Sequence, residues 1–342
     1  MSRRAKSFNA RVEEHALRAL RAACGAERLA LRERLQSLWG GYGELLRVDI
    51  EGGSAASAIV KLMVPPRVPE GAAAERSHRR KLRSYEVEAQ FYGRYAPDCA
   101  EDCRVPRAYL CEKSEEGFLL LLEDLDDAGF HARRSRVSTA ELHACLEWLA
   151  CFHATFLGRR PDGLWASGTY WHLATRPDEL SALQNAALRA AAPRIDRRLR
   201  RARHRTLVHG DAKLENFCFS PSTGNVAAVD FQYVGGGVGV QDVAYFLDSC
   251  LSPAECERDA PRLLAHYFQE LRRALLRRRA ASPSESAIDA GSVEDEWRSL
   301  YPVARVDFHR FLLGWAPGSA DHDSYAERLT RELLASLEAW SD

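Results

Sequence analysis

Side chains of the types that do chemistry cluster in a short stretch near the middle of the chain. His209, Asp211, Lys213 and Asn216 lie within eight residues, and Asp230 follows an apolar, strand-like run fourteen residues after Asn216. A carboxylate can accept the proton of an attacking hydroxyl, oxygen donors can hold Mg²⁺, and an ammonium group can bind phosphate. The pattern therefore favours an enzyme that transfers a phosphoryl group.

Each of these residue types has a role in such a reaction. Asp211 would act as the base, and Lys213 would reach the transferring phosphate. Asn216 and Asp230 would offer a neutral and an anionic oxygen to the metal. His209 is expected to support the loop through a hydrogen bond rather than to react. A polar turn followed by a helix cap is the competing interpretation, and the full combination of residues argues against it.

Lysine is scarce in this sequence, since only five of the 48 basic residues are Lys. Lys213 is one of them, and Lys61 is another, within the alternating strand-like segment 58–63. The lysine ammonium is a compact point charge, whereas the arginine guanidinium is a wide planar fork. The scarcity suggests that Lys61 and Lys213 occupy positions where arginine would not serve.

The stretch His209–Asp211, with Asn216 and Asp230, resembles the catalytic and metal-binding loops of the protein-kinase-like superfamily. Gly210 stands where protein kinases carry arginine, which is similar to the small-molecule branch: aminoglycoside phosphotransferases, choline kinases and ecdysteroid-kinase-like proteins. The segments that make the chain resemble the last group most are 84–92, 120–125 and 229–232. The resemblance covers about residues 35–250 and implies an α+β, bilobal protein-kinase-like fold.

The resemblance also implies how ATP and Mg²⁺ would be bound. Lys61 would neutralise the α- and β-phosphates, and a helix glutamate, Glu88, would hold that lysine. Glu86 competes for this role, but residues two apart on a helix point in different directions. Gly41 and Gly43 would form the glycine-rich loop, although without a third glycine a tight hairpin remains the alternative.

One further segment resembles the hinge strand of the family, and two features of the sequence differ from the protein-kinase pattern. Backbone groups between Glu123 and Leu125 would pair with the adenine edge. Gln232 stands where protein kinases have the glycine of their Asp-Phe-Gly motif, and no Ala-Pro-Glu segment follows. Asp242 is expected to cap a helix and to brace the catalytic loop. The missing activation segment argues against a peptide substrate.

The predicted function is therefore ATP-dependent transfer of the γ-phosphate to a hydroxyl of a small molecule: a sterol-like, choline-like or aminoglycoside-like alcohol. Aromatic residues late in the chain could line an apolar or quaternary-amine site, or could pack the core. They are Trp165, Tyr170, Trp171, His172, Trp297, Tyr301, Phe308, Phe311 and Trp315. A catalytically inactive kinase fold that binds a small molecule or a partner is the alternative function.

The pattern of apolar residues predicts the elements that position these groups. A helix is expected over 9–35, then strands over 35–39, 45–50 and 58–64, a helix over 76–95, and strands over 105–111 and 117–123. Helices follow over 138–157, 178–202, 240–250, 257–280 and 322–340, with an island of short strands over 206–234 and a loop over 281–292. The predicted domains are a nucleotide-binding lobe, 1–125, and a helical catalytic and substrate-binding lobe, 126–342.

Composition excludes several other classes of protein. Lys and Arg together equal Asp and Glu, 48 each in 342 residues, which disfavours a nucleic-acid clamp. No apolar run approaches the length of a membrane helix, and the N-terminus lacks the apolar core of a signal peptide. Nine cysteines without a Cys-x-x-Cys pair favour free thiols over zinc ligands. We expect a cytoplasmic enzyme without an obligate protein partner.

Overall fold

The computed structural model describes residues 14–53, 55–66, 68, 70–113, 117–281, 288–316, 324–337 and 340. These residues form two compact units. The first unit takes the described residues up to Ala100, together with 104–132 and 218–232, and the second takes 101–103, 133–217 and the described residues from Tyr233 onward. The sequence predicts a single boundary after residue 125, whereas here the segment 218–232 belongs with the first unit.

The elements follow one another as a strand-rich part and then a helix-rich part, as the predicted α+β class requires. The helices are α1 (Glu14–Cys24), α2 (Ala72–Gln90), α3 (Thr139–Thr155), α4 (Pro177–Ala182), α5 (Ala186–Arg200), α6 (Val240–Cys250), α7 (Pro253–Ala281), α8 (Ala290–Trp315) and α9 (Ser324–Ser336). The strands are β1 (Arg28–Ser37), β2 (Gly43–Glu51), β3 (Ser57–Met63), β4 (Ala108–Lys113), β5 (Phe118–Glu123), β6 (Thr206–Val208), β7 (Phe217–Phe219), β8 (Val226–Ala228) and β9 (Gly235–Gly237). Of the helices in the described part of the chain, none has both the length and the apolarity to span a bilayer.

A five-stranded sheet in the order β1-β2-β3-β5-β4 organises the first unit, and every neighbouring pair is antiparallel. β5 lies between two other strands, which explains its uninterrupted apolar sequence. Its residues Phe118–Leu122 are all buried. The predicted meander is therefore present, and β5 extends it beside the strand that carries Lys61.

The long N-terminal helix predicted over 9–35 is wrong in its second half. α1 ends at Cys24, where Gly25 adopts a φ of 65° and Ala26 N–H donates to the carbonyl of Arg21, closing a Schellman motif. Residues from Arg28 then pair with β2 as β1. The backbone hydrogen bonds between β1 and β2 stabilise the strand more than the local helix propensity of this segment stabilises a helix, because helix propensity is a weak preference.

In the second unit, side-chain caps decide where helices begin. Ser138 and Glu141 form a reciprocal capping box at the start of α3. The single helix predicted over 178–202 is wrong, because Asn185 caps a new helix there: its side chain accepts from Leu188 N–H at 3.0 Å. α8, over Ala290–Trp315, was not predicted and begins inside the expected loop; Asp289 caps it by accepting from Gly291 and Ser292 N–H.

Candidate active site

In the first unit, a buried lysine lies between two carboxylates. Lys61 Nζ, on β3, is 2.8 and 2.7 Å from the two carboxylate oxygens of Glu88 on α2, and 3.3 Å from Asp230 Oδ1. Lys61 and Glu88 are 6% and 1% exposed. The structure thus brings together three residues that the sequence separates by up to 169 positions.

The charges of this group perturb one another. Burial raises the pKa of Glu88 to about 7, against the opposing effect of the Lys61 charge. Burial acts to lower the pKa of Lys61, but the charges of Glu88 and Asp230 outweigh it, and the pKa is raised. The ammonium form of Lys61 is therefore the stable one, and a single buried cation faces two acids.

Asp230 follows β8 and has an unusual backbone. Its φ is 69°, a left-handed conformation that costs energy for a residue with a side chain. The next residue holds it in place, because the Phe231 ring is buried and stacks on Phe91 with centroids 3.9 Å apart. The strain is thus supported by packing, and the Asp230 side chain remains 36% exposed.

Gln232 contributes to the same group, which the sequence comparison missed. Its Oε1 accepts from the Ser84 hydroxyl at 3.3 Å, and its side chain also hydrogen-bonds to Glu88. A glycine could make neither contact. The departure from the Asp-Phe-Gly motif therefore supplies an additional link between the residues after Asp230 and α2.

In the second unit, Asp242 on α6 binds the loop 209–216, which contains the predicted base. The carboxylate of Asp242 accepts from the backbone N–H of His209 at 2.6 Å and of Gly210 at 2.9 Å, and it lies 3.0 Å from His153 Nε2. Gly239, not Asp242, precedes the first residue of α6, so the capping role predicted for Asp242 is wrong. The predicted bracing of the loop is present.

Gly210 is required by the path of this loop. Its φ is 79°, and a Cβ there would lie 2.1 Å from the carbonyl oxygen of Tyr233 and 2.7 Å from Thr169 N. The arginine that protein kinases carry at this position could not be accommodated. His209 beside it is fully buried, and its Nδ1 accepts from Asp211 N–H at 3.3 Å.

Two donors orient the carboxylate of Asp211. Asn216 Nδ2 lies 3.2 Å from Asp211 Oδ2 and 2.7 Å from its backbone oxygen. The Tyr245 hydroxyl donates to Asp211 Oδ1 at 3.3 Å and hydrogen-bonds to the hydroxyl of Tyr170. Tyr245 was not predicted, although it lies one helical turn after Asp242 and hence on the same side of α6.

Lys213 and the amide oxygen of Asn216 remain available. Among the described residues, Lys213 Nζ makes no ion pair or hydrogen bond, and its side chain is half-buried. Asn216 donates through Nδ2, so its Oδ1 points to no donor of the described chain. A cation without a counter-ion and a free amide oxygen can both serve a ligand.

The predicted glycine-rich loop is the turn from β1 to β2. Gly41 and Gly43 have φ of 77° and 141°, and Leu38 N–H donates to the Gly43 carbonyl at 2.8 Å. A Cβ on Gly43 would lie 1.9 Å from the Leu62 carbonyl oxygen, whereas one on Gly41 would meet nothing within 4 Å. Gly43 is thus required for strand pairing, whereas at Gly41 there is space for a side chain.

The predicted hinge residues lie at the end of β5. Glu123 binds Arg104 through both carboxylate oxygens, at 2.6 and 2.7 Å. Leu125 is buried in a small cluster with Cys218 and Ala227. Their side chains are engaged in packing and ion pairing within the first unit. Part of their backbone is engaged as well, since Glu123 N–H donates to the Arg107 carbonyl and the Leu125 carbonyl accepts from Phe130 N–H, both at 2.8 Å.

Most of the aromatic residues considered for a substrate site form the core instead. Trp171, Tyr245, Phe308 and Phe311 pack together as one buried cluster, with Tyr170 against it. Trp297 is fully buried and donates to the His204 carbonyl at 2.9 Å. Tyr245, which was not among the residues considered, is the member of this cluster that donates to Asp211, at 3.3 Å.

Two solved structures share the fold across nearly their whole length. The amicoumacin kinase hAmiN, in complex with AMP-PNP, Ca²⁺ and Ami, is 16% identical with a TM-score of 0.56, over 97% of this chain and 96% of that one. A microcompartment-associated aminopropanol kinase is 16% identical with a TM-score of 0.50, over 95% and 97%. The likeness confirms the predicted kinase-like α+β fold. Among curated proteins, none matches the sequence significantly.

The sequence also matches a family profile. The phosphotransferase enzyme family (APH) matches residues 34–280, which include most of the sheet, the Lys61 group and the loop 209–216. The nearer resemblance to ecdysteroid-kinase-like proteins stays a prediction. Since the match spans well over half of the sequence, the chain belongs to the phosphotransferase enzyme family.

Proposed function

We propose that this protein is an ATP-dependent kinase that phosphorylates a hydroxyl group of a small molecule. The observation that carries the proposal is the buried Lys61 ammonium between Glu88 and Asp230, at 2.7 and 3.3 Å. Burying a charge is costly unless it is paired, so a second acid beside the lysine needs a purpose. Phosphate and metal binding provides that purpose.

The chemistry of the two predicted metal ligands, each taken in its own unit, suits a divalent cation. Asp230 offers a partly exposed carboxylate, and Asn216 offers an amide oxygen that accepts no bond from the described chain. Hard oxygen donors of this kind suit Mg²⁺, which takes its remaining ligands from phosphate and water. When bound, the ion would neutralise charge on the phosphates. The solved amicoumacin kinase, with AMP-PNP and Ca²⁺, supports the same assignment by analogy of fold.

The remaining residues would carry the transfer step. The acceptor hydroxyl gives its proton to the carboxylate of Asp211 while its oxygen forms a bond to the γ-phosphorus. The bond from that phosphorus to the β–γ bridging oxygen breaks, and ADP leaves with that electron pair. The free ammonium of Lys213 balances charge on the transferred group. Asn216 and Tyr245 hold the Asp211 carboxylate through its two oxygens.

The acceptor is an alcohol of small size, because the sequence contains no activation segment to hold a peptide. The structural neighbours are named as kinases of amicoumacin and aminopropanol. An amino alcohol or an aminoglycoside-like compound is therefore the first class to test. Ecdysteroids and other sterols form the second class, on the resemblance in segments 84–92 and 229–232.

Substitution of the proposed base tests the function. ADP release would be measured with Mg·ATP and separate panels of amino alcohols, aminoglycosides, sugars and sterols. We expect Asp211→Asn to lower the rate at least about 10²-fold while nucleotide binding persists. Glu215→Gln, an exposed acid on the same loop, is the matched control and should retain the rate. Equal turnover by Asp211→Asn and the parent protein would contradict the proposal, and nucleotide binding without turnover on any panel would favour the inactive-fold alternative.

A further inference from the structure

The turn between β1 and β2 carries a single side chain. Three of the residues 40–43 are glycine, and the fourth is Tyr42. The glycines, Gly40, Gly41 and Gly43, have φ of 69°, 77° and 141°. Glycine has the widest choice of backbone conformations and loses the most conformational entropy on folding. We call residues 40–43 the glycine turn; it depends on Tyr42 for any side-chain contact that fixes its shape.

Tyr42 makes such contacts through both its hydroxyl and its ring. The hydroxyl lies 2.6 Å from Nδ1 of His78 on α2. The ring contacts those of His78 and Tyr85, with centroids 5.6 and 6.1 Å away. The backbone carbonyl of Tyr42 accepts from Val64 N–H at 2.9 Å. The glycine turn is thus attached to α2 and to the residue after β3, all within the first unit.

His78 is a polar residue on the buried side of α2. Its exposed fraction is 5%, and a buried polar group costs free energy unless it is hydrogen-bonded. Leucine favours a helix more than histidine does and could be buried there without that cost. The bond to Tyr42 therefore explains the histidine better than the stability of α2 does.

The same helix carries the partner of the buried lysine. His78, Tyr85 and Glu88 are all buried, and their spacings of seven and three residues keep them on one side of α2. Glu88 lies about 15 Å along the helix axis from His78, at 1.5 Å per residue, and binds Lys61 at 2.7 Å. A glycine turn attached to His78 is therefore held in a fixed position relative to the Lys61–Glu88 pair.

We propose that Tyr42 and His78 are positioning residues that hold the glycine turn in the shape that binds the phosphates of ATP. The inference rests on the proposed function, which assigns ATP as the phosphate donor. A turn already held in its binding conformation loses less conformational entropy when the ligand binds, so the affinity is higher. The benefit is confined to ligands that carry phosphate, because the adenine is expected at residues 123–125.

Calorimetric titration of the full chain with Mg·ATP and with adenosine tests the inference. We expect Tyr42→Phe to bind Mg·ATP about fivefold more weakly, because one hydrogen bond is lost, and to bind adenosine as the parent protein does. Tyr109→Phe, on β4 of the same unit, is the matched control. The Tyr109 hydroxyl makes no hydrogen bond to any of the described residues, so both affinities should be retained.

Two substitutions of His78 distinguish the hydrogen bond from the stability of the helix. The amide of asparagine reaches about the position of Nδ1 and can bond to the Tyr42 hydroxyl, whereas leucine cannot. Asparagine, however, favours a helix less than leucine does. We expect His78→Asn to retain the affinity for Mg·ATP and His78→Leu to lose about fivefold. A merely structural role of His78 predicts the opposite order.

Four outcomes would overturn the inference. Equal Mg·ATP affinity in Tyr42→Phe and the parent protein would do so while leaving the proposed kinase in place. An equal loss of adenosine affinity would show general damage to the unit, and a loss in His78→Asn as large as in His78→Leu would exclude the hydrogen bond. A parent protein that does not bind Mg·ATP would overturn the proposed function as well. Circular dichroism melting establishes that each variant is folded before titration.

Discussion

At the scale of single residues, two of the five lysines lie at positions where a compact cation is expected to be needed. Lys61 is enclosed by two carboxylates, and Lys213 is half-buried with no partner among the described residues. Lys113 is an exposed lysine that binds Glu86, and Lys81 lies 5.9 Å from the Tyr85 ring centroid. Lys6 lies outside the described residues.

Replacement of Lys61 by arginine should therefore damage activity. The guanidinium is wider than the ammonium and cannot occupy the same space between Glu88 and Asp230 with both contacts intact. We expect kcat/KM for ATP to fall at least about 10²-fold. Lys113→Arg, which keeps an exposed ion pair with Glu86, should leave it unchanged. If Lys61→Arg retained full activity, the argument from lysine scarcity would be wrong.

Tyr245 is expected to act as a positioning residue for Asp211. Loss of its hydroxyl in Tyr245→Phe removes a hydrogen bond to the ionised carboxylate. We expect about a tenfold fall in kcat with little change in KM for ATP. Because a donor favours the ionised form, the acid limb of the pH–rate profile should move to higher pH.

A control distinguishes this role from packing. Phe308→Leu alters the same buried cluster without touching a hydrogen bond to Asp211. It should lower the melting temperature but leave the pH–rate profile where it is. A Tyr245→Phe profile that superimposes on that of the parent protein would show that the tyrosine has only a structural role.

Sequence reasoning found the residues that share one loop, and the family resemblance supplied Lys61, Glu88 and Asp230, which lie up to 169 positions apart. It missed the residues that neither a local pattern nor the resemblance marks. Asp211 and Asn216 share one loop, so their spacing alone suggests their proximity. Gln232 and Tyr245 act through contacts with Ser84 and Asp211, 148 and 34 positions away. No spacing within either local segment encodes such partners.

At the scale of elements, the two glycines of the β1–β2 turn differ in the space that surrounds them. Gly43→Ala would force a Cβ into the Leu62 carbonyl, whereas Gly41→Ala costs only the left-handed backbone, about 1 kcal/mol. We expect Gly43→Ala to lower the free energy of unfolding by at least about 2 kcal/mol more than Gly41→Ala, in urea denaturation.

The same pair of variants tests the phosphate role of the turn. If the turn lies over phosphates, Gly41→Ala should weaken Mg·ATP binding while the protein remains folded. Unchanged nucleotide affinity in Gly41→Ala would indicate an ordinary hairpin instead. Comparable losses of stability in both variants would contradict the steric argument for Gly43.

Element prediction succeeded where the chain has strong local signals. α6 spans the predicted 240–250, and β3 and β5 follow their apolar runs closely. α8 was missed because it begins next to a polar, proline-containing loop and carries Pro302 in its interior, which lowers its local helical preference. Its stability comes from packing against the other helices of the unit, which the local sequence does not reveal.

At the scale of the whole molecule, ligand binding should be linked to folding. A ligand at one hundred times its Kd adds about 2.7 kcal/mol to the free energy of unfolding if it binds only the native state. We expect Mg·ATP to raise the midpoint of thermal unfolding and ATP with EDTA to raise it less, because Asp230 and Asn216 would then lack their cation. Differential scanning fluorimetry measures both shifts.

One substitution distinguishes the contribution of the metal to the thermal shift from the contribution of the nucleotide. Asp230→Asn removes the anionic ligand, so the shifts with Mg·ATP and with ATP in EDTA should become equal. The same change also removes a left-handed aspartate, and asparagine tolerates that backbone well, so the ligand-free protein should remain folded. Asp295→Asn, an exposed acid on α8, serves as the control and should preserve the difference. A magnesium-dependent shift that survives in Asp230→Asn would remove this residue from the proposed metal site, while no shift with any nucleotide in the parent protein would argue against the kinase itself.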